Sequence, residues 1–329
     1  MHRHVPPLER MSLREAASGG CHTPIHRGQT HECLCVSVSL WPVAMESASA
    51  LALTLALGVA LLAGCRPAPQ PVNEVVAIGA GSLPLDSADA VWQQAPEHLA
   101  KLVPQDLVEP RLLKSSTPEI RVRALTSGGD IAFRLEWVDA VVDDTPGPGA
   151  FLDACAIQIP RRVEPSLPDP QMGQAGRPVD IAFWRADWQA SVDGRPDSLT
   201  ALYPNAAIDH YPFEAKPLEP GSPAQQEAAT RYAPAQALGN RRVGPRAQPV
   251  EDMVAEGPGT IAPAGGGVKS RGKGVRTAKG WAVVIIRPMP AGLAPNVRTA
   301  IAFAVWDGAE DEVGARKMRT IWVPLSVRG

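Results

Sequence analysis

The sequence predicts an all-β body: an antiparallel β-sandwich with a few short helices and long loops. Three observations carry that expectation. Thirty-four prolines and 29 glycines in 329 residues punctuate the chain too often for long helices. Short runs rich in Val, Ile and Trp recur from Val76 onward, with no helical period between them. In Ile131 to Val138, the residues Ile131, Phe133, Leu135 and Trp137 alternate with Ala132, Arg134 and Glu136, the period of two of a strand with one buried face.

The elements follow in chain order. Residues 1–44, with their mixture of Cys, His and Pro, match neither a folded element nor the basic start of an export signal, and a start codon placed too far upstream accounts for them. Within residues 45–64 an apolar run extends from Ala48 to Ala63, shorter than the roughly 20 residues that span a bilayer. Leu62-Ala63-Gly64-Cys65 is similar to the lipobox of bacterial lipoprotein signal peptides, which implies cleavage before Cys65, acylation of Cys65 and a periplasmic protein anchored to the membrane by lipid. One feature departs from that pattern: Glu46, and no Lys or Arg, stands between Met45 and the apolar run. Residues 65–75 are then the lipidated cysteine and a tether, and residues 76–329 form one domain. Strands are expected at Ile120 to Leu125, Ile131 to Val138, Cys155 to Ile159, Val179 to Asp187, Trp281 to Arg287, Thr299 to Trp306 and Thr320 to Leu325. The Pro-rich stretch from Ser191 to Gly259 is expected to be irregular and to wrap one end or face of the sandwich, a length that points to functional loops.

Composition narrows the function. Thirty-two basic and 34 acidic residues give a net charge of -2 without a basic stripe, which argues against a nucleic-acid partner. Three of the five cysteines (Cys21, Cys33, Cys35) lie in the discarded leader, and Cys65 with Cys155 cannot build a disulfide framework. No C-x-x-C-H occurs, so a covalently attached c-type haem is excluded, and no paired Cys/His spacing suits zinc. Only His98 and His210 fall in the body; His210 in DHYPFE reads as a loop residue, and Asp143-Asp144 before Thr145-Pro146-Gly147 reads as a turn.

The order of the segments says more than any one of them. DACAIQIP (153–160), QMGQAGRPVDIAFWRADWQ (171–189), RYAPAQALGNRR (231–242), EGPGTIAP (256–263), GKGVRTAKGWAVVIIRPM (272–289), AIAFAVWDGAEDE (300–312) and RKMRTIWVPL (316–325) follow one another. Together they resemble the haem-binding gamma subunits of ethylbenzene dehydrogenase, dimethylsulfide dehydrogenase and the selenate and chlorate reductases, over most of residues 87–325. That resemblance implies a β-sandwich enclosing one noncovalent haem b, ligated by a methionine and a lysine. It also implies an iron-sulfur beta subunit and a molybdopterin catalytic alpha subunit as partners, a soluble cytochrome or other redox carrier outside the complex, and a periplasmic site of action. The chain is then an electron-transfer subunit rather than the enzyme that meets the substrate.

Residues are carried over one by one. Met172 occupies the family's Met-Gly position, in a polar setting of Pro170, Gln171, Gly173 and Gln174, and a thioether is a soft iron ligand. Lys269, Lys273, Lys279 and Lys317 lie downstream; Lys273 is the first choice because glycines on both sides permit a flat ring to approach, with Lys279 and then Lys317 as alternatives. A ligating lysine must be neutral and therefore enclosed. Asn240, Arg241 and Arg242 are candidates for the haem propionates, and Trp184 for the pocket. Arg185, Trp188, Trp281 and Trp306 also recur beside the motifs, and strand-face packing is the expectation for most of these tryptophans. A competing reading is a periplasmic carbohydrate- or ligand-binding lipoprotein without haem, since the same sandwich also resembles carbohydrate-binding domains; another is a structural lipoprotein without any ligand.

Overall fold

The computed structural model describes residues 73–196, 199–205, 218–219, 221–232, 246–267 and 269–328. Residues 1–72, where the leader, the signal peptide and Cys65 are expected, together with His210 and the Asn240, Arg241, Arg242 group, lie outside the described residues.

Among the described residues the expected strands are present. The first group is β1 (Val75–Gly79), β2 (His98–Lys101), β3 (Val103–Pro104), β4 (Glu119–Ser127), β5 (Asp130–Val138), β6 (Ala154–Pro160) and β7 (Val179–Arg185). Three helices follow, α1 (Ala186–Val192), α2 (Leu199–Leu202) and α3 (Pro223–Tyr232). The chain closes with β8 (Val250–Ala255), β9 (Ala262–Pro263), β10 (Arg271–Arg276), β11 (Gly280–Pro288), β12 (Arg298–Trp306), β13 (Met318–Arg319) and β14 (Val323–Arg328). The all-β expectation holds, with three differences in detail.

The first is direction. β1 runs parallel to both of its neighbours, β4 and β14, so the assembly is mixed and not purely antiparallel. Val75, Val76 and Ala77 are consecutive and all buried, the continuous apolar run of a strand covered on both faces. The second is where strands stop. β7 ends at Arg185 because α1 starts at Ala186, with Asp187 in its first turn, where a carboxylate suits the positive end of the helix. Of the stretch expected from Thr320 to Leu325, Thr320 to Trp322 lie outside any strand, between β13 and β14, and Val323 to Leu325 belong to β14. The third is β8, a regular strand inside the segment expected to be irregular; it pairs with β7 from Val179 opposite Ala255 to Trp184 opposite Val250.

The hydrogen-bonded order is β10-β11-β5-β4-β1-β14-β12-β6-β7-β8-β9. β12 serves two sheets: Arg298 to Ile301 pair with β14, whereas Ala302 to Trp306 pair with β6. The main core lies between the β11-β5-β4-β1 layer and the β12-β6-β7 layer and includes Phe133, Leu135, Trp137, Cys155, Ile157, Trp184, Trp281, Val283, Ile285, Ile301 and Phe303. Trp184 meets Trp281 and Trp137 edge-on, at 5.0 and 6.3 Å between ring centroids. Each such indole removes about 150–250 Å² from water, which makes this trio a principal contact between the two layers.

Candidate functional site

Strand alternation sends Cys155, Ile157, Ala182, Trp184, Phe303 and Val305 into the core, so their neighbours face outward. Those neighbours form a floor. Across β12, β6 and β7 the register gives the rows Trp306-Ala154-Arg185, Ala304-Ala156-Phe183 and Ala302-Gln158-Ile181. Four of these nine positions are alanine, and the space they leave is a cavity of about 700 Å³, within the range of small-molecule and cofactor sites. Its rim comes from the Pro170 to Met172 loop, from Pro258 to Ile261, and from the segments around Phe151 and Glu312 to Thr320.

Met172 sits on one margin of this floor. Its loop is fixed: Gln158 Nε2 donates to the Pro170 carbonyl at 3.0 Å, Trp322 Nε1 to the Pro168 carbonyl at 2.7 Å, and Gly257 N–H to the Met172 carbonyl at 2.8 Å. Met172 has φ of 70°, a left-handed backbone that a side chain of this bulk rarely adopts. The left-handed turn costs about 1–2 kcal/mol, so the surrounding bonds hold the methionine in a position it would not take by itself. The polar flanks suggested a residue with little core around it; the side chain in fact packs against the cluster of Ala154, Ala156, Val179, Ile181, Met253 and Trp306.

Lys317 also borders the cavity, just before β13, which pairs with β12 through Ala304 opposite Arg319. Of the lysines raised from the sequence, it is the one that lines the cavity. Its Nζ is 5.1 Å from the centre of the Trp306 ring, and its carbonyl accepts from Gln105 N–H at 2.9 Å. Burial, and then the charge of Arg319, hold its amine down at about 8 instead of 10.5. Lys269, Lys273 and Lys279 are exposed and none of them lines the cavity.

The glycines beside Lys273 do accommodate a flat ring, but it is a ring of the protein. A Cβ on Gly274 would overlap the Trp184 indole, and one on Gly272 would meet Val250 and the Val284 carbonyl. Gln189 Oε1 accepts from both Trp184 Nε1 (3.2 Å) and Gly274 N–H (2.8 Å), which binds that ring to β10. Trp184 therefore belongs to the core on the far face of β7 and does not line the cavity, whereas Phe183 and Arg185 on either side of it do.

Two arginines of the lining, Arg185 and Arg319, were not chosen as anion partners from the sequence. Arg185 forms a two-pronged pair with Asp187 and lies 4.4 Å over the Trp188 ring. Arg319 lies 3.9 Å from Asp106, and its enclosed Nε has no hydrogen-bond partner. The period of two would have placed Arg185 beside Phe183, but nothing local marks Arg319. Glu312, also in the lining and 1% exposed, accepts from Ser116 and from Asp307 N–H, and burial pushes its carboxyl up to about 7. Cys155 is a free thiol in the core, pushed well up by burial.

The donor set suits a flat, mainly apolar group bearing a soft-ligand metal and carboxylates: a thioether, an amine whose proton burial loosens, an alanine floor and two guanidinium groups. Comparison with known proteins points the same way. A curated protein of Haloferax mediterranei, named as a proposed respiratory nitrate reductase haem subunit, ORF7, is 28% identical over 169 residues, 49% of this chain. The chain spans 61% of that relative's length. Among solved structures, a family 9 carbohydrate-binding module from Caldicellulosiruptor kristjanssonii with cellotriose superposes with a TM-score of 0.35 at 9% identity, covering 78% of this chain and 93% of the module. The same module with glucose gives 0.33. Likeness at that level carries no argument about ligand. The family model described as ethylbenzene dehydrogenase matches residues 89–318, most of the chain and nearly the span over which the segments follow in order, and this protein belongs to that family.

Proposed function

We propose that this chain is an electron-transfer subunit that holds one haem b noncovalently on the alanine floor, where Met172 and Lys317 would hold the iron. The observation that carries the reading is the cavity itself, which brings together that methionine and that lysine from segments 145 residues apart in sequence (317 less 172). When bound, the haem supplies reversible one-electron carriage. The protein's part is to position and to exclude: Met172 presents its thioether from a fixed loop, Lys317 presents an amine that loses its proton near pH 8, and Arg185 and Arg319 can pair with carboxylates of the group. Ala154, Ala156, Ala302 and Ala304 keep the floor flat, while Ile181, Phe183, Met253 and Trp306 limit water.

In this reading the chain works beside an iron-sulfur subunit and a molybdopterin subunit that carries the substrate chemistry, passing electrons to or from a soluble carrier. It acts in the periplasm, attached to the membrane through acylated Cys65. The naming of the Haloferax relative supports the haem, and the family supports assembly with other oxidoreductase subunits.

The test is an absorption spectrum of the exported protein produced with haem supply. A Soret band with a b-type pyridine haemochrome, and release of the haem by acid-acetone, are expected. Met172→Ala and Lys317→Ala should each alter the ferrous and ferric bands, while Lys273→Ala and Lys279→Ala leave them unchanged. A colourless protein would return the cavity to the carbohydrate-binding reading; a spectrum that responds to Lys273 and not to Lys317 would overturn the assignment of the axial pair.

A further inference from the structure

A cluster of carboxylates lies beside the cavity. Asp139 follows β5, Asp153 precedes β6 and Asp307 follows β12, and one carboxylate oxygen from each lies within 4.8 Å of the other two. Asp153 is fully buried, Asp139 is 5% exposed and Asp307 is half-buried. Asp143, which the sequence suggested was only part of a turn, joins them: its N–H donates to Asp153 Oδ2 at 2.9 Å.

Backbone donors aim these carboxylates. Asp153 Oδ1 accepts from Gly308 N–H and its Oδ2 also from Trp281 Nε1; Asp139 Oδ1 accepts from Val141 N–H, and Asp307 Oδ1 from Ala309 N–H. The remaining oxygens are not all used. Asp139 Oδ2 and Asp143 Oδ2 are enclosed and have no hydrogen-bond partner. An orphaned carboxylate oxygen on a residue buried this deeply carries the full cost of desolvation unless something positive meets it. Arg276 lies against one member of the cluster: its Nη1 is 3.6 Å from Asp139 Oδ1 and its Nη2 is committed to the Asp139 carbonyl at 2.7 Å. Among the described residues no ion pair of this kind reaches Asp153 or Asp307.

We propose that Asp139, Asp153 and Asp307, with Asp143 at the edge, form a site for a hard divalent cation, calcium in chemistry. Two oxygens bonded to one calcium at about 2.4 Å lie no more than about 4.8 Å apart, a limit all three pairs meet. The set is all oxygen, without His or Cys, which suits calcium and not zinc or copper. Backbone carbonyls and water complete such a shell in other calcium sites. The ion ties the ends of β5 and β12 to the start of β6. Phe151, Leu152, Ala154 and Trp306, all within two residues of a ligand, line the cavity, so the ion braces that wall. The site is independent of whether the cavity holds haem.

The experiment is calorimetric titration of the full-length, chelator-stripped protein with calcium chloride, with magnesium chloride as the control. Terbium luminescence excited through Trp281, whose Nε1 is 2.9 Å from Asp153 Oδ2, then reports position. One calcium per chain is expected, with magnesium much weaker, terbium emission displaced by calcium, and a rise in the thermal midpoint on adding calcium. Asp139→Asn and Asp307→Asn should each weaken calcium by at least about tenfold, since each removes a ligand charge. If Asp139→Asn fails to fold, the wild-type titration and Asp307→Asn decide the matter. Absence of saturable calcium binding, or terbium emission that neither variant changes, overturns the site; the acids then share protons instead.

Discussion

Lys317 offers a quantitative test of the haem reading, because in that reading a proton and the iron would compete for the same nitrogen. An ordinary lysine at 10.5 must spend about 5 kcal/mol at pH 7 to become neutral; at about 8 the cost is about 1 kcal/mol, so the site has lowered it by roughly 3 kcal/mol. That difference corresponds to roughly 300-fold in affinity for a group that needs the neutral amine. Haem affinity, measured by Soret titration of the apoprotein, should rise about tenfold per pH unit up to about 8 and level off above it. The same shift acts on folding with a definite sign. The folded pKa lies below the unfolded one, so the unfolded chain binds more protons between about 8 and 10.5, and the stability of the apoprotein rises with pH across that window; below about 8 the penalty is present in full. Lys317→Met removes the amine, so the variant should lose the pH dependence of haem affinity and, at pH 7, gain up to roughly 3 kcal/mol in apoprotein stability. A wild-type affinity that is flat from pH 6 to 8, together with an unaltered spectrum in Lys317→Met, would refute this reasoning.

Met172→Gly and Met172→Ala should both lose the native haem spectrum, but the glycine variant should be the more stable in urea by about 1 kcal/mol, because only alanine retains the left-handed penalty at φ 70°; equal midpoints would mean that the loop is not strained. Gly274→Ala should destabilise the apoprotein by about 1–3 kcal/mol by forcing the Trp184 ring off β10, and a Trp184→Ala background should relieve most of that loss in a double-mutant cycle of chemical denaturation. Arg319→Gln should weaken haem binding with little change in band positions, as loss of a carboxylate partner and not of an iron ligand, and a shifted Soret band would argue against that role. Cys65→Ser should move the protein from membrane to soluble periplasmic fractions, and unchanged fractionation without lipid mass on the amino-terminal peptide would remove the anchor from the reading.

The strands that the sequence reveals are those whose inward positions carry large apolar side chains, such as Phe133, Leu135 and Trp137 in β5 or Val283 and Ile285 in β11. β10 escapes because its inward positions are Gly272 and Gly274: the face is buried, but the side chain that fills it, Trp184, comes from β7. β8 escapes because its apolar residues are interleaved with Glu251, 2% exposed, and Asp252, which accepts from Lys269 N–H, Ser270 N–H and Ser270 Oγ to close a loop far along the chain. At the candidate site, Met172 was reachable through the family's Met-Gly motif. Lys317 could be ranked only third because the argument for Lys273 rested on neighbours in sequence. What encloses Lys317 is the pairing of β13 with β12 and the Trp306 ring, and what exposes Lys273 is its place on an edge strand.

On β12, β6 and β7, folding and occupancy are assigned to opposite faces of the same strands. Phe303, Ile157 and Trp184 hold the layers together from one side, while Ala304, Ala156 and Phe183 meet the cavity from the other. A methyl or two added at Ala156 or Ala304 would project toward the cavity and away from the layer-to-layer core, so the size of the group it admits can be trimmed with little effect on the contacts that hold the two layers together. Divergence in this scaffold is therefore cheap at the floor and expensive one residue to either side. Relatives that have lost or exchanged their ligand should be recognisable by bulk at those alanine positions, with the intervening Cys155, Ile157, Phe303 and Val305 positions still apolar.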